Sequence, residues 1–140
     1  MKRKWWLYLI VLVIVSAAIY AWKEYNRKPP DLMYSTADAI VKAEALAAAF
    51  ETDEAVANEK YLGKIIEVDG VIINVNATQS PVHIVIGNED SMHNVGISLA
   101  GSKQNIQELK NGMTITARGE CTGFLMDVEL NNAVIIKTKQ

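Results

Sequence analysis

A small, mainly β barrel behind a single membrane-crossing helix is the architecture this sequence predicts, and three observations carry the prediction. Trp5 to Trp22 is a run of 18 residues without a charge. From Lys64 onward, alternating apolar runs separated by turns rich in Gly, Asn and Asp recur five times, the pattern of half-buried strands. The first of those runs, Lys64 to Val75, is long and changes phase in its middle. Ile66 and Val68 set even-numbered positions inward, whereas Val71, Ile73 and Val75 set odd-numbered ones. A strand has period 2, so a phase change needs an extra residue or a bend. Asp69-Gly70 stands at the change, and Gly inside a strand marks a bulge or a corner.

The N-terminal run is long enough to cross a bilayer. Eighteen helical residues span about 27 Å, close to a hydrocarbon core of roughly 30 Å. Trp5, Trp6 and Tyr8 stand at one interface and Tyr20, Trp22 and Tyr25 at the other, as an aromatic belt does. A signal peptide is the competing reading, but its apolar region is shorter, and Ile19-Tyr20-Ala21 before Trp22 is a poor cleavage site. Lys2, Arg3 and Lys4 slightly outweigh Lys23, Arg27 and Lys28, which Glu24 dilutes. The expected orientation therefore puts the N-terminus in the cytoplasm and the barrel in the periplasm, at the inner membrane. Residues 1–27 read as the anchor, with the transmembrane helix at about 5–22. Residues 28–37 read as a linker stiffened by Pro29 and Pro30, and residues 38–140 as the domain.

Two helices are expected before the strands. Ser35 and Asp38 form an approximate capping box, and Ala39, Ala43, Leu46 and Phe50 share one helical face. Thr52-Asp53-Glu54 starts a second, short helix with acids at its positive end. That helix presents Ala57 and Tyr61 on one side and stops at Gly63.

The strands then run in order. The first covers residues 64–76. Val82, Ile84 and Ile86 alternate in the second, and Val95, Ile97 and Leu99 in the third. A short helix capped by Ser102, with Ile106 and Leu109 facing the core, ends at Gly112. The fourth strand, residues 113–122, turns Ile115, Ala117, Gly119 and Cys121 inward. The fifth, residues 126–137, turns Met126, Val128 and Leu130 inward. Three strands, a short helix and two strands is the order of the OB-fold, a five-stranded Greek-key barrel. The fold class expected is mainly β (α+β), an OB-fold barrel with an N-terminal helical pair. Gly63, Gly70, Gly112 and Gly119 are the expected structural glycines.

The soluble region resembles a bacterial family of OB-fold domains, the tRNA_anti-like family. The resemblance rests on Phe50 to Tyr61, on Gly63-Lys64 with Val68-Asp69-Gly70-Val71, on Leu109 to Gly112 and on Gly119 to Gly123, and it covers about residues 38–137. It implies a short bacterial envelope protein of Bacteroidetes type, carrying a membrane segment or lipid anchor. It implies a fold and no catalytic residues. The family's name points to nucleic acid, and this sequence departs from that implication.

The departure is electrostatic. Residues 1–30 carry six basic residues and one acid, a net +5, so the remaining eight basic and fifteen acidic residues leave the rest of the chain at −7. Such a domain repels phosphate backbones. Its strands hold no Trp or Tyr, Phe124 falls in the turn before the fifth strand, and Arg118 is the only arginine after Arg27, so stacking platforms and a basic groove are both lacking.

Catalytic and metal chemistry are equally poorly nominated. His83 and His93 are the only histidines and make at most half a metal site. Cys121, the single cysteine, reads as a small buried hydrophobe with no base beside it. Glu67, Asp69, Asp127 and Glu129 read as a solvated acidic face rather than a cation site. No P-loop, nucleophile-elbow, zinc or EF-hand pattern occurs, so no cofactor, no metal and no enzymatic activity are expected. The expected function is that of a binding module for a protein, peptide or glycan of the cell envelope. OB-folds present ligands to the face of their second and third strands, where the outward residues are His83, Val85, Asn94, Gly96 and Ser98. A nucleic-acid-binding protein is the first alternative. The second is a structural subunit of an envelope complex, its helix packing through Ser16, Ala17, Ala18 and Ala21.

Overall fold

The computed structural model describes residues 2–26, 31–78, 80–101 and 106–139. Residues 27–30, the last of the expected anchor and the first of the expected linker, and the cap expected at Ser102 lie outside these. The chain forms two compact units, Met1–Pro30 and Asp31–Gln140.

The first unit is helix α1, Lys2–Tyr25. Tyr8–Tyr25 within it is long and apolar enough to cross a membrane, with a mean hydropathy of 1.5.

The second unit is a closed barrel. It holds β1 (Ala39–Lys42), α2 (Ala43–Thr52), α3 (Glu54–Tyr61), β2 (Ile65–Asn76), β3 (His83–Gly87), β4 (Val95–Leu99), a 3-10 turn at Ile106–Glu108, β5 (Thr114–Phe124) and β6 (Val128–Lys139). Neighbours run β1-β2-β3-β4-β6-β5, and β5 closes back onto β2. Strands β4 and β6 are parallel; every other pair in the ring is antiparallel. This is the five-stranded OB-fold ring with one strand added at β2. Ile66, Val68, Ile72, Ile84, Ile86, Val95, Ile97, Ile115, Ala117, Cys121, Val128 and Leu130 fill its inside. Helix α2 closes one end with Ala43, Leu46 and Phe50, all buried.

As expected, the long strand serves both halves of the barrel. Its residues Ile65–Val71 pair with β5, and Val71–Asn76 pair with β3. The phase change, however, is not at Asp69-Gly70. Even-numbered positions stay inward through Ile72, which is 1 % exposed while Val71 is 39 % exposed. The register slips between Ile72 and Asn74, just after β2 hands over from β5 to β3. Gly70 is an inward residue whose missing side chain admits α2. A Cβ there would stand 2.8 Å from the Cβ of Ala43 and 3.0 Å from Cδ1 of Ile86.

The expected helix start at Ser35–Asp38 is also corrected. Ala39–Lys42 is a strand, paired in parallel with Ile66–Asp69 of β2, and α2 begins at Ala43. The physical reason is an unfilled edge. One edge of β2 is taken by β5, and β3 covers the other only from Val71 onward, which leaves Ile66–Asp69 open to β1. The β-branched pair Ile40-Val41 suits that role. Asp38 anchors the entry: its N–H donates to the Ile65 carbonyl (2.7 Å) and its carboxylate accepts from the Ile65 N–H (2.9 Å).

Met126 is not inward. It stands in the turn between β5 and β6 and is 81 % exposed, and β6 begins at Val128. Phe124 closes β5 rather than lying in the turn, and its ring stacks on Phe50 with centroids 5.7 Å apart. The remaining inward positions, Ile115, Ala117 and Cys121, are buried as their alternation predicts. Gly119 faces inward too, where a Cβ would meet the Cβ of Ala133 at 2.9 Å. Gly63 and Gly112 end α3 and the 3-10 turn region with φ of 71° and 87°, a region that side chains disfavour.

Candidate binding face

The outer surface of β3 and β4 is built by register. Val85 pairs with Gly96, and His83 with Ser98. Asn74 and Asn76 of β2 flank Val85 and His83 on one side, and Glu129 of β6 flanks Gly96 on the other. The inward partners Ile84, Ile86, Val95 and Ile97 alternate with these residues, so burying the core turns this row outward.

His83 and Glu129 meet above Gly96. Their Nε2 and Oε2 atoms are 3.6 Å apart, and a Cβ on Gly96 would lie 2.8 Å from the Glu129 carboxylate and 2.9 Å from His83 Nε2. Gly96 is thus a floor over which an acid and an imidazole bridge three strands. Ser98 and Val85 are half-buried beside it.

Asn94 stands apart from this group. It precedes β4, and its side-chain oxygen accepts from the Asn88 N–H (3.0 Å) beside Gly87. Its own N–H donates to Asp127 (2.7 Å). Asn94 closes the β3–β4 turn and ties it to the β5–β6 turn. His93 does similar work: Nδ1 donates to the Met126 carbonyl (2.7 Å), and the ring meets Phe124 edge-on with centroids 5.2 Å apart.

The four outward acids are partnered, so they do not converge. Arg118 donates to Glu67 through Nε (3.2 Å) and Nη2 (2.7 Å). The Thr116 hydroxyl donates to Asp69, Asp127 holds Asn94, and Glu129 faces His83. Among the described residues no group of three His, Cys, Asp or Glu could hold a metal. Arg118 also donates through Nη1 to the carbonyls of Leu32 (3.1 Å), Met33 (3.4 Å) and Ser35. The domain's one arginine is a clasp for the entering chain. Cys121 is buried, and burial pushes its thiol above the ordinary value although a hydrogen bond from the Gly123 backbone opposes this.

A groove opens between α3 and the end of β5, with Glu129 on its rim. It holds about 350 Å³ and is lined by Glu54, Asn58 and Leu62 on one side and by Thr122, Gly123, Phe124, Leu125 and Glu129 on the other. Sequence reasoning did not single out this groove. One signal was present: Phe124-Leu125-Met126 puts three large apolar residues in a row at a turn, and no alternation can bury all three.

The family model described as tRNA_anti-like matches residues 1–135. The chain belongs to the tRNA_anti-like family. No curated protein matches it. Among solved structures, this tRNA_anti-like chain is similar to a proposed nucleic acid-binding lipoprotein from Klebsiella pneumoniae subsp. pneumoniae MGH 78578. The identity is 18 % and the TM-score 0.52, over 79 % of this chain and 100 % of the other. At that identity the likeness establishes the OB-type fold alone, which the ring of β2 to β6 already displays.

Proposed function

We propose that this protein is a membrane-anchored, non-enzymatic OB-fold binding module. In this reading α1 holds it in the inner membrane with the N-terminus cytoplasmic, and the barrel recognises a protein, peptide or glycan of the cell envelope from the periplasmic side. Residues 1–27 act as anchor, 28–37 as linker and 38–140 as the binding domain. The observation that carries the reading is the outward row His83, Val85, Gly96 and Ser98. It is built by strand register, floored by a glycine and continued by Glu129 into an open groove. Asn94 contributes by holding the two adjoining turns.

The test is photocrosslinking in living cells from a crosslinking residue placed at Ser98. A discrete envelope product is expected from Ser98 and none from Lys137, at the far end of β6. Equal labelling from both positions, or none from Ser98, overturns the reading.

A second reading, nucleic-acid binding, is favoured by one observation: the description of the Klebsiella lipoprotein. Against it stand the net −7 after residue 30 and the commitment of Arg118 to Glu67 and three carbonyls. The full chain is expected to leave the anisotropy of a labelled single-stranded RNA or DNA unchanged at low salt, where phosphate contacts are strongest. A salt-sensitive rise would reverse the order of the two readings.

A further inference from the structure

The groove between α3 and the β5–β6 turn has a composition that selects among the ligands just named. Leu62, Phe124 and Leu125 supply apolar walls, and Leu125 is 88 % exposed with Met126 beside it at 81 %. Among the described residues, Glu54 and Glu129 are the charged ones in its lining. The lysines close to α3 are committed elsewhere: Lys64 Nζ donates to the carbonyls of Lys60 (2.6 Å) and Glu59 (3.4 Å), and Lys60 Nζ lies 5.0 Å from the centre of the Tyr61 ring. Asn58 and Thr122 add neutral polar atoms to the lining.

Each ligand class meets this composition differently. A phosphate backbone is repelled by two carboxylates in a lining whose described residues include no Lys or Arg. A glycan is best held on exposed aromatic faces, and Phe124, the one aromatic in the lining, has a face stacked on Phe50 and meets His93 edge-on. A cationic chain with an apolar side chain satisfies all the walls together. Exposed Leu and Met surfaces are poorly hydrated and adaptable, and the acids steer and orient a basic partner.

We propose that this groove binds an extended peptide segment of a partner protein, with an apolar residue seated against Leu62, Phe124 and Leu125 and flanking Lys or Arg residues held by Glu54 and Glu129. The proposal rests on the binding-module reading and names the partner class for it.

The test uses the full chain in nanodiscs of neutral lipid and labelled decapeptides of alternating lysine and leucine, glutamate and leucine, and lysine and glycine. The lysine–leucine peptide is expected to bind at least tenfold more tightly than the other two. A Glu54→Gln/Glu129→Gln variant should lose at least tenfold of that affinity and Leu125→Ala at least fivefold. Glu44→Gln/Glu51→Gln, which removes two exposed charges on α2, should lose less than twofold. All five positions are exposed or half-buried, so unfolding does not confound the comparison, and Tm checks this. Equal affinity for the three peptides, or equal loss in the groove and α2 variants, overturns the proposal. A Met126→Cys variant carrying an environment-sensitive dye separates the other occupants. A blue shift without peptide means lipid covers the turn, and a concentration-dependent dimer that Leu125→Ala abolishes means a second copy does; either overturns the proposal. If the lysine–leucine peptide does not bind while Ser98 still crosslinks, the binding-module reading stands and the groove assignment falls.

Discussion

Gly70 shows how one missing methyl group sets a long-range contact. Alternation along β2 points it inward, and α2 descends until the Ala43 Cβ occupies the space that a Gly70 side chain would need. Gly70→Val is therefore expected to destabilise the domain by about 2 to 3 kcal/mol through overpacking, measured by urea unfolding with the m-value unchanged. Coupling distinguishes this cause from a strand bend. Gly70→Ala combined with Ala43→Gly should be less damaging than the sum of the two single changes; strict additivity would mean the contact is not the reason for the glycine. Cys121 carries a second prediction at this scale. Its thiol is raised by burial in the folded chain, so above the ordinary cysteine range, about 8.5, the unfolded state loses its proton first. The stabilising difference is intact below that pH and is lost as pH rises toward the folded value. Cys121→Ala should flatten the fall in stability above about pH 8.5. An identical slope in wild type and variant would show that other groups cause it.

At the scale of elements, the clasp around Arg118 explains how a segment without regular structure is held. Residues Leu32, Met33 and Ser35 offer carbonyls to one guanidinium, which β5 presents beside Glu67 of β2. Leu32 is itself buried. Arg118→Ala strands three carbonyls and a half-buried carboxylate, at a cost of about 2 to 3 kcal/mol. Proteolysis should then cut near residues 31–38 well before the barrel opens. Unchanged protection of that segment would mean that Leu32 alone holds it. Strand alternation was readable in advance because period 2 is local: Ile84, Ile86, Val95, Ile97, Ile115, Val128 and Leu130 all lie inward as their spacing implies. The helices were readable from Ala43 to Tyr61 for the same reason. The bulge and β1 were not. A bulge falls where two pairing partners change over, and four residues of added strand are recruited by an open edge 27 positions away (Ala39 pairs with Ile66). Neither leaves a periodic trace.

For the whole molecule, charge and length decide more than packing does. The first unit is basic and apolar, and the second carries the net −7. A reporter fused after Gln140 is expected to be active if it requires export and silent if it requires the cytoplasm. The opposite pattern would place the barrel on the other side and revive the nucleic-acid reading. The candidate face was partly legible. His83, Val85, Gly96 and Ser98 could be named from parity, because outward positions are what remains once inward ones are counted. Glu129 was visible as an outward acid but not as the residue that meets His83, since β4 and β6 lie far apart in sequence and become parallel neighbours only when the ring closes. The groove beside it draws on α3, β5 and β6, and no local signal connects those three.

By itself, then, the sequence determined an apolar helix long enough to cross a bilayer, an acidic domain, five alternating strands in OB-fold order and, outside the second half of β2 and Met126, the side of each strand that faces the core. All of these depend on composition and on neighbours a few residues apart. Tertiary structure alone decided where β2 changes phase, that residues 39–42 pair as a strand, that Arg118 clasps the entering chain, and that Glu129 links a polar face to an acidic, apolar-walled groove. Each of those outcomes depends on which distant segments meet, and a meeting of distant segments is chosen by closure of the barrel as a whole.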